Sequence, residues 1–328
     1  MQEKKAHSVT LSEASSCRLI WSSGVTPEGE KIFNRIPRSN LLQSSAYGQA
    51  MARLNNQRLR QAVILLDGEQ AGIVQILEAG LFNNRILGAH LDRGPLWLEN
   101  KGRPEHFEAF LEALRRDYPK KFGRKMRFIP ECEDIPPNTK ILEERGFKRA
   151  SAPYRTLWLD LRPSMERLRA KTAKNWRGAL KKAENQGIEL VGDGQGKLLP
   201  WFVAGYRQDK AEKKYDGPSP RTLSVLTQAF LKRKSAYIGC ASLDGEPLAG
   251  VLIMCHGKSA TYQAGWTTQA GRECCAHHLL LWEALRRLKE REIDDFDLGG
   301  INETQSKGVK TFKEGLGGAL VQTPGLWT

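Results

Sequence analysis

Cys274-Cys275 followed by His277-His278 is the densest run of chemically capable side chains in the sequence. Sulfur and imidazole together suggest a metal site, but zinc sites favour Cys-x-x-Cys with a second pair at a distance. Adjacent cysteines at a helix start rarely converge on one ion, so core packing is the preferred reading and no metal is expected. No Ser-His-Asp or Cys-His arrangement for nucleophilic catalysis stands out. The other marked feature is positive charge. Lys171, Lys174, Lys181 and Lys182, with Arg167, Arg169 and Arg177, crowd one stretch in which only Glu166 and Glu184 oppose them. Further clusters follow at Arg207, Lys210, Lys213 and Lys214, and at Lys232, Arg233 and Lys234. Solvated helix faces usually mix signs, so the asymmetry points to a phosphate-rich partner. Lys171, Lys174, Arg177, Lys181 and Lys182 are its candidate contacts.

The elements that must position these residues occur twice. Leu66-Asp67-Gly68-Glu69 returns as Leu243-Asp244-Gly245-Glu246, and Glu112-Ala113-Leu114-Arg115-Arg116 returns as Glu283-Ala284-Leu285-Arg286-Arg287, in the same order. In the first half, strands over 62–66 and 71–77 flank the Asp-Gly turn. A strand over 85–91, an amphipathic helix over 104–118, a strand over 127–129 and a helix over 136–145 follow. In the second half the same order is read as strands over 236–243, 248–254 and 260–264, a helix over 275–290 and a strand over 295–298. Between them lies a single helix over 165–186, with Leu168, Ala173, Trp176, Leu180 and Ala183 as its apolar stripe. Two units of this kind create a cleft. The expected division is an N-terminal unit over 1–163 and a C-terminal unit over 164–328 that includes the basic helix.

The chain has 328 residues, enough for two cores, and a formal net charge of +14. The pI is near 9.6. The first residues are charged and lack an apolar signal core. No stretch reaches the roughly 20 apolar residues of a membrane span. The six cysteines follow no disulfide spacing, so a reducing cytoplasm is expected.

The element order fits an α/β (α+β) layered fold of the GNAT acyltransferase type, present in tandem. GNAT acetyltransferases hold the pyrophosphate of acetyl-CoA on a glycine-bearing loop at a helix N-terminus. The corresponding stretch, Gly271 to His277, has Arg272 but no glycine where the backbone must approach. Residues 98–105 of the first copy lack the pattern too. Acyl transfer with a donor other than CoA, and no bound cofactor, is the expectation.

Landmarks along the chain resemble the Fem (FemABX) family of peptidyltransferases. They are Leu42-Gln43-Ser44-Ser45-Ala46-Tyr47, Arg93-Gly94-Pro95-Leu96, Asn175 to Gly187, Thr261 to Trp266, Ala276 to Ala284, Asp295 to Gly300, and Gly308 to Gly318 with its Phe312-Lys313 pair. The resemblance implies two GNAT-like halves and transfer of an amino acid from aminoacyl-tRNA to the amine of a peptidoglycan precursor. It also implies that Lys313 sits at the reaction centre. There a fixed ammonium would stabilise the charge that builds on the ester carbonyl and then on the leaving ribose oxygen, with Phe312 excluding water beside it. Arg93, Tyr262, Gly265 and Asp297 are the expected substrate-binding residues. On residue type alone, Lys313 reads as a surface lysine beside Glu314. Tyr262 lines the cleft or fills the core, and Asp297 orients a backbone or a lysine or caps the next turn. Gly299-Gly300 and Gly317-Gly318 permit close approach or simply form turns.

The sequence departs from the family's pattern where the acceptor is held. Met51 stands where many members carry a lysine, Glu99 is the nearest carboxylate after Arg93, and Ala264 replaces an aromatic. No stretch is long enough for the helical arm of some members. Acyl transfer is therefore read more firmly than the acceptor. The alternatives are tRNA-dependent peptide-bond formation in natural-product synthesis, an acyl-CoA N-acyltransferase, and a non-catalytic RNA-binding module that keeps the basic stretch without needing Lys313.

Overall fold

The computed structural model describes residues 16–80, 86–301 and 307–328, the Lys307 side chain excepted. Arg85, the expected start of one strand, and the charged first residues lie outside that description. The first unit runs β1 (Cys17–Ser23), α1 (Pro27–Phe33), α2 (Ser45–Leu54), β2 (Arg58–Leu66), β3 (Glu69–Ala79), β4 (Gly88–Gly94), β5 (Leu96–Trp97), α3 (Pro104–Asp117), β6 (Lys125–Pro130) and α4 (Pro136–Glu144). Then come β7 (Tyr154–Asp160), α5 (Met165–Lys171), α6 (Lys174–Glu184), β8 (Glu189–Asp193), α7 (Leu199–Lys213), α8 (Pro220–Leu231), β9 (Ala236–Leu243) and β10 (Glu246–His256). The chain closes with β11 (Ser259–Thr267), α9 (Gln269–Glu273), α10 (Ala276–Glu290), β12 (Asp295–Gly300), α11 (Lys307–Gly315) and β13 (Ala319–Thr323).

One sheet has the order β1-β2-β3-β4-β6, with β5 on β3; the other runs β13-β7-β12-β11-β10-β9-β8. The repeat is visible in the pairing. The β2–β3 and β9–β10 hairpins turn on Asp67-Gly68 (φ 52° and 87°) and Asp244-Gly245 (φ 50° and 82°). Positive φ at both central residues matches the right-handed twist of the flanking strands, and Asp-Gly tolerates it. The copied Glu-Ala-Leu-Arg-Arg segments lie on α3 and α10, each of which carries the chain from an antiparallel strand to its parallel neighbour. Their inward faces, Phe107, Phe110, Leu111 and Leu114 on α3 and Leu280, Leu281, Ala284, Leu285 and Leu288 on α10, supply much of each core.

Two stretches cross between the units. β7 precedes residue 164 yet is hydrogen-bonded between β12 and β13 of the second sheet. Trp327 returns from the C-terminal side into the first core, fully buried, exchanging backbone hydrogen bonds with Phe128 of 2.8 and 2.9 Å. The expected division at 163/164 thus falls after a strand of the second sheet.

The single helix expected over 165–186 is two helices. Thr172 is extended (ψ 150°) and buried, and its hydroxyl caps α5 by donating to the Arg169 carbonyl at 2.9 Å. The Ala173 N–H turns out of the helix to donate to the Gly315 carbonyl at 2.8 Å. That tertiary bond explains the break, and it leaves Ala173 exposed while Leu168, Trp176, Leu180 and Ala183 are buried.

Candidate active site

The second sheet opens where the first does not. β11 and β12 pair in parallel only over Ser259–Thr261 and Asp295–Asp297, then diverge as β11 continues to Thr267. The equivalent strands β4 and β6 stay paired from Gly88 to Gly94. The fork is therefore a feature of the second unit, and Tyr262 sits at its branch point. Opposite, Gly299 forms a bulge at φ +76°, where β12 uses one more residue than β7. An L side chain is strained at that φ. Asp297 fixes the bulge by accepting from the Gly299 N–H at 2.8 Å and from the Thr156 hydroxyl.

Lys313, on α11, reaches into this fork. It is 9% exposed, and its ammonium donates to the Gly300 carbonyl at 2.9 Å, a bond the bulge makes available. Nζ lies 5.9 Å from the centre of the Tyr262 ring. Burial pulls the lysine down to about 8, opposed by the charge of Asp297. A lysine held there at neutral pH is mostly ammonium, dry, and close to giving up its proton. Phe312 faces an aromatic group, with ring centres 4.9 Å from His278, 5.4 Å from His277 and 6.1 Å from Trp176. The α11 segment is clamped from outside as well: a Cβ at Gly315 would come within 2.9 Å of the Trp176 ring, and one at Gly317 (φ +88°) within 3.0 Å of the Lys171 carbonyl.

Tyr262 shares a 3.0 Å hydrogen bond with His277 Nε2. Burial holds that imidazole neutral, pushed down to about 4, with His278 and Lys213 adding to the effect. Burial likewise raises the Tyr262 phenol, with the charge of Asp209 reinforcing it. Gly265 makes the pair possible: a Cβ there would lie 1.9 Å from the Tyr262 hydroxyl and 2.9 Å from His277 Cε1.

Arg93 comes from the first unit to the seam, 5% exposed. Its guanidinium forks onto Glu131, with Nη2 to Oε1 at 2.9 Å, and stacks 5.1 Å over the Tyr154 ring. Asp297 contributes to its field, and a Cβ at Gly300 would meet the Tyr154 ring at 3.0 Å. Arg93 is thus beside the Lys313 group but engaged internally, which fits orienting the seam better than gripping a substrate.

Of the expected anion contacts, Lys171, Lys174, Lys181 and Lys182 are exposed on α5 and α6. Arg177 is half-buried, donating to the carbonyls of Thr172 and Ala170, and so helps cap α5. Lys182 also reaches the Glu273 carbonyl at 2.7 Å. α6 packs against α10 and α11 with Trp176 and Leu180 in the shared core, and its lysines lie on the exposed side.

The stretch compared with a CoA loop is the short helix α9. Arg272 folds back onto the Gln269 side chain (2.7 Å) and the Thr267 carbonyl (3.0 Å), and Cys275 takes φ 61° at the entry to α10. A Cβ at Gly271 would lie 2.3 Å from the Leu248 carbonyl, so its backbone approaches β10 rather than open space. Among the described residues no group of three or more His, Cys, Asp and Glu could hold a metal ion, and no helix is long and apolar enough to cross a membrane. Two open depressions, of about 1040 and 300 Å³, lie at α1 and between α7 and α8, away from Lys313.

Sequence reasoning missed Glu131, Tyr154 and Asp209, and it read His277 as packing. Glu131 and Arg93 meet through parallel strand register, which leaves no local pattern. His277 carried a faint signal, being on the helix that follows the Tyr262 strand.

Residues 170–314 match the family described as an acetyltransferase (GNAT) domain. A search of curated proteins found no match. Among solved structures, FemX is similar over 94% of this chain and 96% of that one, with a TM-score of 0.76 at 14% identity. A tandem GNAT protein from the clavulanic acid biosynthesis pathway matches with a TM-score of 0.52 at 15% identity, covering 95% of this chain and 98% of that one. The C-terminal domain of a putative lysylphosphatidylglycerol synthetase from Agrobacterium fabrum matches with a TM-score of 0.50 at 14% identity, covering 92% of this chain and 91% of that one. Residues 170–314 thus match a GNAT domain, and the chain as a whole is similar in fold to FemX.

Proposed function

We propose that the protein is an aminoacyltransferase that moves an amino acid from aminoacyl-tRNA to an amine acceptor, forming an amide. The observation that carries this reading is Lys313, a buried ammonium held at the Gly300 carbonyl in the open fork of the GNAT domain. The acceptor amine attacks the ester carbonyl carbon. The C–N bond forms, and negative charge collects on the carbonyl oxygen, where a fixed cation lowers the barrier. As the C–O bond to the ribose breaks, the leaving oxygen takes a proton from the lysine. The attacking nitrogen loses its own proton, which restores the ammonium. The ester is already activated, so one cation and an ordered, dry site supply what the reaction needs. On this reading the exposed lysines of α5 and α6 would meet tRNA phosphates, and a peptidoglycan precursor is the first acceptor to test.

The experiment offers the protein tRNA charged with labelled amino acids, and separately acetyl-CoA, in the presence of candidate amines. Consumption of charged tRNA that is lost in Lys313→Ala supports the reading. Consumption of the CoA ester alone overturns it in favour of an acyl-CoA transferase. Binding of tRNA without any turnover overturns it in favour of an RNA-binding role.

A further inference from the structure

Asp209 lies on α7 and is 8% exposed, beside an apolar group that includes Phe202, Tyr206, Ala264 and Trp266. Its ion-pair partner is Lys213, one turn along the same helix, whose side chain is 41% exposed. The carboxylate acts on the fork itself: its charge helps to raise the phenols of Tyr262, Tyr215 and Tyr206, while Lys213 acts on His277. One polar atom of this same network, His277 Nδ1, is buried without a hydrogen-bond partner, and the buried Tyr215 hydroxyl turns to the Asp209 carboxylate. The segment after α7 is fastened down around them. Lys210 donates to the carbonyls of Tyr215 and Gly217 at 3.1 and 2.8 Å, and the Tyr206 hydroxyl donates to the Pro218 carbonyl at 2.9 Å.

A buried carboxylate needs a cation. Here the cation is a long side chain entering from solvent, which returns to water at little cost. The carboxylate is fixed, with the Tyr215 hydroxyl beside it, its cationic partner is replaceable, and the unsatisfied His277 Nδ1 feels that partner's charge. We propose that Asp209, with Tyr215, is an ammonium-recognition subsite in which a substrate's primary ammonium displaces Lys213 from the carboxylate. This rests on the aminoacyl-transfer reading and narrows it. Both reactants of that chemistry carry an amine, one as the free α-ammonium of the aminoacyl ester and one as the acceptor. A phosphate group is disfavoured at the same place by the Asp209 charge.

The test is ligand-observed NMR titration of the purified protein with L-alanine methyl ester, N-acetyl-L-alanine methyl ester and n-butylamine. An ammonium–carboxylate contact predicts a loss of about tenfold or more on removing either charge. The expected result is binding of at least one ammonium probe, weaker binding of the N-acetylated ester, and the same loss in Asp209→Asn with its circular dichroism unchanged. Lys213→Ala should bind the probe at least as tightly as the wild-type protein, because the competitor is gone; a merely structural ion pair would not give that result. Preference for the ester assigns the subsite to the donor, and preference for butylamine assigns it to the acceptor. The proposal is overturned by no binding of either ammonium probe, by equal binding of the N-acetylated ester, by binding that survives Asp209→Asn, or by loss in Lys213→Ala. None of these readouts uses charged tRNA. Asp209-dependent binding without tRNA turnover would therefore sink the proposed function and leave the subsite standing.

Discussion

Lys313→Met should make the protein more stable and nearly inactive. Burial holds the lysine near 8 in place of 10.5, and at about 1.4 kcal/mol per pH unit this is a native-state penalty of roughly 3 kcal/mol on the charged form. The sign follows from proton counts. Below pH 8 the lysine is charged in both states and the penalty is felt in full. Between pH 8 and 10.5 the unfolded chain binds the proton that the folded one has shed, so stability rises with pH across that window. Methionine has a similar length and no charge, so it removes the penalty and leaves the Gly300 carbonyl without its donor, at a cost of about 1–2 kcal/mol. The net expectation at pH 7 is a gain of about 1–2 kcal/mol, and the rise between pH 8 and 10.5 should disappear. Urea denaturation of both proteins at intervals from pH 7 to 10.5 measures this. Aminoacyl transfer, if the proposed function holds, should fall on the order of a hundredfold or more, as for loss of one oxyanion donor. Equal slopes in the two proteins, or a variant less stable at pH 7, would refute the view that Lys313 is held as a costly buried cation.

Gly265→Ala should keep the fold, lose about 1–3 kcal/mol of stability through overpacking, and impair turnover by forcing Tyr262 from His277; wild-type turnover would show that the pair is dispensable. On the acid side, His277 contributes stability that is complete above pH 6.5 and is lost as pH falls toward 4. His277→Asn should therefore move the acid-unfolding midpoint to lower pH, as read by circular dichroism; His256, held down to about 3, and His278, also lowered by burial, contribute to what remains. Trp327→Ala should cost about 3–5 kcal/mol, as for a large core side chain, seen as a lower urea midpoint. Replacing Lys171, Lys174, Lys181 and Lys182 together by Ala should lower the slope of log affinity for tRNA against log salt by roughly 3, whereas an unchanged slope would place the tRNA elsewhere.

The repeat was legible because Asp-Gly turns and the Glu-Ala-Leu-Arg-Arg helices are local signals, and both copies land on equivalent elements. The break at Thr172 was not, because neither Thr172 nor Ala173 is a strong helix breaker; the hydrogen bond from Ala173 to Gly315, far away in sequence, decides it. Phe312, Lys313, Tyr262, Gly265 and Asp297 were all named from the sequence, and the fold gathers them at one fork. Arg93 arrives at the same seam, but its engagement with Glu131 depends on strand register. Arg177 was assigned to the anion face by its charge, yet geometry turns it onto helix carbonyls. Contacts between residues distant in sequence account for the break at Thr172 and for the engagement of Arg93, and the turn of Arg177 onto the Thr172 and Ala170 carbonyls follows from that same break.

The two crossings have a consequence for how the molecule can be divided and how it can move. β7 leaves the first half to complete the second sheet, and Trp327 leaves the second half to complete the first core. Each half thus holds a structural part of the other, so the duplication is no longer modular. Expressed separately after residue 163, one fragment would have a hole at its centre and the other an unfilled slot between β12 and β13. A hinge between the halves would have to pull out a strand or a buried indole. Movement of one half against the other is therefore restricted, and any adjustment at the fork falls to side chains and to the short α11 segment rather than to closure of whole units.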